Sequence, residues 1–510
     1  MLQLAEVCRS GAVLQRDMPL RIFGQAEKAV KVTYDGVTVE AEAIDGKFCA
    51  VFEPHAAGWG YSISVTDGTE TVTAEDISVG EVLIAAGQSN MEMPLAVTDG
   101  AEDELEHCEN ENISFYSIPQ QFVKGEYADT FRFQYMDCSA PTWKKCTADT
   151  AKDFSAVGYY VAKKLQKTLG VPVGVIGFNW GSRKIQTFIP TWAFDRHPAL
   201  AEIQKQHEAE CAEHPVEYFA EGYKKFIKHL ACHKARCPYP AALAYENANF
   251  ASLRGHLDWW PSLRENDAST PKGPYNPDRP GGMYHAMLED VVPYGVRLVL
   301  WYQGSDDVSG NYVDKYGVLM ESWREDFQNP DMAFYAMEIA PFGRTHGRMA
   351  WRIRPPLRLE QREATLRYPN NYLITTAGLG DIQNVHPIHK RELSYRAARS
   401  ILHNTYKIGP KADNPYAISA AFEGNQVRVQ FANNENMLII GGGVPDLYLS
   451  EDGENLVLAK ARIENNELIA WVEDMENPCE IRYCYSDYYA GQNLYNAAVL
   501  PASPFRFVKE

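Results

Sequence analysis

GEVLIAAG (80–87) is the stretch on which the fold turns. It is a short, unbroken apolar run without alternation, the pattern of a strand buried on both faces in a parallel sheet. Four more runs of this kind follow: VPVGVIGF (171–178), VRLVLWY (296–302), AFYAMEIA (333–340) and NYLITTAG (371–378). Helical periodicity lies between them. Residues 154–169 carry Ser155 as a cap and apolar side chains at Val157, Tyr160, Val161 and Leu165, while 355–366 opens on prolines that a first helical turn tolerates. Strands alternating with helices predict a doubly wound α/β domain over residues 80–407.

Outward from that core the rhythm changes. Residues 1–79 hold short apolar segments such as LRIFG (20–24), VKVTY (30–34) and YSISVTD (61–67), separated by Gly and Asp turns, which reads as a β-sandwich. Residues 408–510 return to strands (QVRVQFA, LYLSED, ELIAWVED) and read as a C-terminal β domain. Residues 195–280 interrupt the α/β core with a charged helical stretch and a Pro/Gly/Asn-rich loop, an insertion near a functional edge. A chain of 510 residues has room for about three domains at ~150 residues each.

Composition narrows the partners. Lys and Arg number 49 against 67 Asp and Glu, a formal charge of −18, which repels nucleic acid and anionic lipid alike. No apolar run approaches the ~18 residues of a membrane helix. The opening MLQLAEVCRSG lacks the basic and apolar regions of a signal peptide, so the expected location is cytoplasmic. Ten cysteines are scattered without CxxC or zinc-ligand spacing, and reduced packing thiols with no metal are expected.

Four polar motifs sit at the carboxyl ends of four predicted strands, where open α/β sheets bind ligands. Gly87-Gln88-Ser89-Asn90-Met91 places a serine hydroxyl and its own N–H at a strand end, suited to a nucleophile or, more blandly, to a helix cap. Asn179-Trp180-Gly181-Ser182 brings a glycine whose backbone can approach a substrate. Trp301-Tyr302-Gln303-Gly304 offers an amide donor, and the loop 380–387 offers His386 as a general base. Each has an ordinary structural reading; their convergence on one sheet edge favours chemistry.

In combination, GQSNM, WYQG, the HPxxK of 386–390 and NLYNAAVLPASPFRF (493–507) resemble the sialate O-acetylesterase family of SGNH hydrolases. AVLQRDMPL (12–20), FSAVGYY (154–160), GGMYHAM (281–287) and LRLEQ (357–361) extend the resemblance over nearly the whole chain except 195–275. It implies a flavodoxin-like SGNH-hydrolase core flanked by β domains, with neither metal nor organic cofactor. By position it implies Ser89 as nucleophile, His386 as base, and an oxyanion hole of the Ser89 and Gly181 N–H groups with the Gln303 side chain. Gln88, Asn90, Trp180, Tyr302 and His285 fall in the implied substrate pocket, with Trp301 and the Trp259-Trp260 pair as further aromatic candidates.

The chain departs from that family at three points. Gln383 stands where an Asp usually precedes the histidine by three residues, leaving either a Ser–His dyad or Asp381 as the acid; Asp381 has the alternative role of an Asx turn. Ser305 replaces the Glu that usually follows WYQG, with Asp306 and Asp307 next to it as substitutes. His285 replaces an Asn, and His389 is a rival base outside the motif. The expected activity is hydrolysis of O-acetyl esters on a small acetylated sugar, such as a sialic acid. The alternatives are deacetylation of xylan or xyloglucan oligosaccharides and a non-catalytic carbohydrate-binding protein.

Overall fold

The computed structural model describes residues 1–121, 123–124, 141–305, 307, 310–343, 355–489 and 492–509 except 236–271, with side chains of 226–235 likewise outside the description. The chain is a mixed α/β protein with a large mixed sheet and several smaller β-sheets. It divides into two units, Met1–Trp301 with Asp314–Phe334, and Tyr302–Val313 with Tyr335–Glu510.

The first unit begins with antiparallel strands whose side chains alternate between core and solvent. In Lys47–Phe52, Phe48, Ala50 and Phe52 are buried and their neighbours exposed, the period-2 signature of a half-buried strand. Val30–Tyr34 and Val37–Ala41 form a hairpin closed by Asp35 and Gly36, both at positive φ (45° and 75°), as a tight turn matched to strand twist requires.

Strand β1 (Thr71–Gly87) then runs without a break from this region into the α/β core. Its first part pairs antiparallel with Gly58–Thr66, and its last part pairs in parallel with β4, as given below. Val82, Leu83, Ile84, Ala85 and Ala86 are all buried, as the continuous apolar run predicts. The helix α1 (Ser89–Glu92) follows at once. Next come β2 (Asn110–Ser117), β3 (Trp143–Cys146), α2 (Ala156–Leu169) and β4 (Val173–Asn179). Ser155 caps α2 by accepting from the Gly158 N–H at 3.2 Å, and Gly170 ends it in a left-handed conformation. Two helices, α3 (Pro198–Ala212) and α4 (Val216–Ala235), open the inserted stretch. With β5 (Leu298–Tyr302) the strand order is β3-β2-β4-β1-β5, in which β4 lies parallel to β1 and β2. Helix α5 (Tyr312–Asp326) and β6 (Ala333–Met337) complete the pattern; β5 and β6 begin in the first unit and end in the second.

In the second unit, α6 (Pro355–Arg367), β7 (Asn371–Ile374) and α7 (Lys390–Asn404) precede an all-β region. One antiparallel sheet has the order Tyr416–Glu423, Gln426–Ala432, Glu467–Trp471, Lys460–Glu464, and another includes Leu447–Ser450, Glu480–Tyr483 and Phe505–Val508. Their shared core holds Val427, Val429, Leu449, Leu468, Ile481 and Phe505. Arg358 on α6 is wholly buried and donates to four carbonyl oxygens, of Ile339 (3.1 Å), Ala340 (3.3 Å), Ser486 (2.7 Å) and Asp487 (3.0 Å). No described helix is long and apolar enough to cross a membrane.

Candidate functional site

In the first unit the end of β1 carries Gly87 and Gln88, and Ser89 is the first residue of α1. Gly87 and Asn179 are register partners on adjacent parallel strands, so the loops after β1 and β4 leave the sheet side by side. The result is a close approach of Gly181 to Ser89. A Cβ added at Gly181 would stand 3.2 Å from the Ser89 Cβ and 3.3 Å from Glu92 Oε2, so a side chain there would press on both. Gln88 is buried and its Nε2 donates to the Arg183 carbonyl at 2.6 Å; Asn90 is buried as well.

The Gly181 N–H, expected as an oxyanion donor, is given to the Glu92 carboxylate: Oε2 accepts it at 2.7 Å. Glu92 Oε1 accepts from Gln120 Nε2 at 2.9 Å, and the same amide nitrogen donates to the Asn179 carbonyl at 3.0 Å. Burial lifts the Glu92 pKa above the usual carboxylate value, against the pull of the Gln120 amide, the Gly181 N–H and the Arg183 charge. Arg183 donates to the Gly181 carbonyl at 3.2 Å, pairs with Asp278 at 2.8 Å and lies 5.4 Å from the centre of the Trp180 ring. Trp180 itself packs on Val123, Phe219, Ala220, Tyr223 and Tyr275, residues that include part of α4. The inserted stretch thus supports an aromatic next to Gly181.

His285 has both ring nitrogens engaged. Nε2 accepts from the Thr191 N–H at 3.1 Å, which fixes the proton on Nδ1, 3.1 Å from Glu289 Oε1. His285 and Lys124 together hold the Glu289 carboxyl down at about 2. Trp301 is a core residue, edge-on to Phe188 at 5.2 Å and to Trp323 at 6.1 Å.

The second unit carries the other expected residues. Gln303 is buried, and its Nε2 donates to Asp307 Oδ2 at 3.1 Å, which fixes the direction of the amide. Asp307, two residues past Ser305, is thus the carboxylate bonded to Gln303. Tyr302 is buried too, with the Lys390 ammonium 5.2 Å from its ring centre, so its ring faces protein rather than an open pocket. His386 is half-buried; burial first, and the Lys390 charge second, lower its pKa to about 4. Lys390 is itself lowered to about 7 by burial.

Asp381 is occupied locally. Its Oδ1 accepts the N–H groups of Gln383 (2.7 Å) and Asn384 (2.9 Å), an Asx turn, and no hydrogen bond joins it to His386 among the described residues. The turn continues through Asn384, whose Oδ1 accepts the His386 N–H at 2.9 Å. Gln383 and His389 are exposed. Trp259, Trp260 and Asp306 lie outside the described residues. Among the described residues no group of three or more His, Cys, Asp or Glu stands ready to hold a metal ion.

Sequence reasoning passed over Glu92 and Gln120. Glu92 lies three residues after Ser89, on the same helical face, so spacing alone carried a signal for it.

No family model matches the chain. Curated relatives are the sialate O-acetylesterases of Mus musculus (21% identical over 261 residues, 50% of this chain and 41% of that protein), Rattus norvegicus (20%, covering 60% and 52%) and Homo sapiens (20%, covering 58% and 45%). The chain spans about half the length of these relatives. Among solved structures, a carbohydrate acetylesterase from Xanthomonas citri superposes with a TM-score of 0.75 at 22% identity, over 99% of each chain.

Proposed function

We propose that this chain, a distant relative of the sialate O-acetylesterases, is a serine esterase that removes O-acetyl groups from carbohydrates through an SGNH-type, flavodoxin-like core. The observation that carries the reading is the place of Ser89: first residue of a helix, at the carboxyl end of a buried parallel strand, with the Gly181 backbone against it. That is where a hydroxyl nucleophile and backbone donors belong.

In this reading Ser89 Oγ attacks the acetyl carbonyl as His386 takes its proton. The oxyanion is met by the Ser89 N–H, the Gln303 amide and the Gly181 N–H, the last shared with Glu92. The imidazolium returns the proton to the departing sugar hydroxyl, and water repeats the sequence to release acetate. Asp381 holds its turn through Oδ1, with no hydrogen bond to His386 among the described residues, and the reading takes the site as a Ser–His dyad. Trp180 is the aromatic surface for the sugar, and the regions 1–79, 80–407 and 408–510 are the proposed domains, the first two joined through the continuous strand β1 rather than folding apart.

The test is acetate release from p-nitrophenyl acetate and from acetylated sialic acid, xylo-oligosaccharides and xyloglucan oligosaccharides. Ser89→Ala is expected to lose at least about 10⁴-fold in turnover with an unchanged melting temperature. Turnover retained in Ser89→Ala rejects the assignment. A folded wild type that binds these sugars without cleaving any of them makes the chain a carbohydrate-binding protein instead.

A further inference from the structure

We propose that Glu92 is a positioning residue for this ester hydrolysis: its carboxylate fixes the Gly181 peptide against Ser89 and governs how that N–H is offered to the oxyanion. The inference rests on the serine-esterase reading for its kinetic consequence, and on geometry alone for the tie itself.

Ser89 and Glu92 are the first and fourth residues of α1, three apart and so on one face. From there Glu92 reaches two segments at once. Oε2 takes the Gly181 N–H at 2.7 Å, a short, charge-assisted bond when the carboxylate is ionised, and Oε1 takes the Gln120 amide at 2.9 Å. Gln120 passes the tie to the Asn179 carbonyl at 3.0 Å, the last residue of β4. One carboxylate and one amide thus bind the helix of the nucleophile to the strand end that carries Gly181. Slack in this arrangement is small, because a Cβ at Gly181 would already crowd both Ser89 and Glu92.

The tie also has an acceptor's role. A peptide N–H aimed at Glu92 Oε2 is held in a set direction before any substrate arrives, which is the preorganisation an oxyanion donor needs. Such an effect acts on the transition state and not on the bound ester, and it belongs in kcat rather than KM.

The experiment compares wild type, Glu92→Ala, Glu92→Gln and Ser89→Ala by steady-state kinetics on an acetyl ester, melting temperature, and hydrogen exchange of the peptide containing Gly181. Glu92→Ala is expected to lower kcat about 10²-fold, the scale of one oxyanion donor, with KM within threefold and the melting temperature preserved. Glu92→Gln keeps an oxygen for the Gly181 N–H and should recover at least about tenfold of that loss. Exchange at Gly181 should quicken about tenfold or more in Glu92→Ala and stay slow in Glu92→Gln. A kcat within threefold of wild type in Glu92→Ala, or a change confined to KM, overturns the kinetic role. Unchanged Gly181 exchange overturns the tie. If wild type and Ser89→Ala are equally inert, the esterase reading falls, while the exchange result still decides whether Glu92 holds Gly181.

Discussion

Asp381 and His386 stand five positions apart in one loop, and no hydrogen bond joins them among the described residues. A carboxylate oxygen that already accepts two backbone N–H groups holds the turn, and asparagine offers an equivalent oxygen. Asp381→Asn is therefore expected to keep acetyl-ester turnover within a few-fold, where loss of a triad acid costs about 10⁴; a loss on that scale would restore Asp381 to the catalytic group. With its pKa near 4, His386 is neutral and able to accept a proton over the whole range above that value. The acid limb of kcat/KM is accordingly expected near pH 4, and Lys390→Met, which removes the smaller of the two lowering causes, should move it only part of the way up toward 6.5; a pH–rate series from 3.5 to 8 checks both. Native His386 binds fewer protons than the unfolded chain between those two values. The fold should lose stability as pH falls through that window, and the contribution is complete above 6.5. At this scale the sequence made the places of Ser89 and Gln303, just after strands β1 and β5, legible because strand ends are legible. It did not disclose that Gly181 donates to Glu92 or that Lys390 is buried, since both depend on contacts between distant segments.

Among elements, α2 was readable to its cap because Ser155, the apolar stripe and Gly170 all agree. Its cap does a second job. The Ser155 hydroxyl accepts the Gly158 N–H and donates to the Met91 carbonyl at 2.6 Å, and so holds α1, the helix of Ser89, against α2. Ser155→Ala removes both bonds from a buried site and is expected to cost about 1–2 kcal/mol, with kcat falling more than KM rises. Urea unfolding alongside steady-state kinetics checks the pair of effects, and unchanged stability would deny the cap its role. The helices α3 and α4 were legible as a charged helical stretch, but the service of α4 to Trp180 was not, because Phe219 and Tyr223 meet it only in the folded chain.

For the whole molecule, composition and periodicity identified a mixed α/β protein bordered by β regions, and sequence rhythm drew one border at 79–80. Physically β1 crosses that border as a single strand, since pairing with Gly58–Thr66 on one stretch and with β4 on the next suits one continuous backbone. Deleting residues 1–79 removes half of this strand together with its antiparallel partners. The remainder, 80–510, is expected to lack a cooperative thermal transition by circular dichroism, and a cooperative melt near that of the full chain would show the border to be real. A different kind of robustness attaches to Arg358. The four groups that accept its hydrogen bonds are peptide carbonyls, which cannot be titrated, and the guanidinium is sealed from water. Mobile ions act on charges they can surround, and here none are in reach. The link between residues 339–340 and 486–487 should therefore persist in brine that dissolves the protein's surface ion pairs.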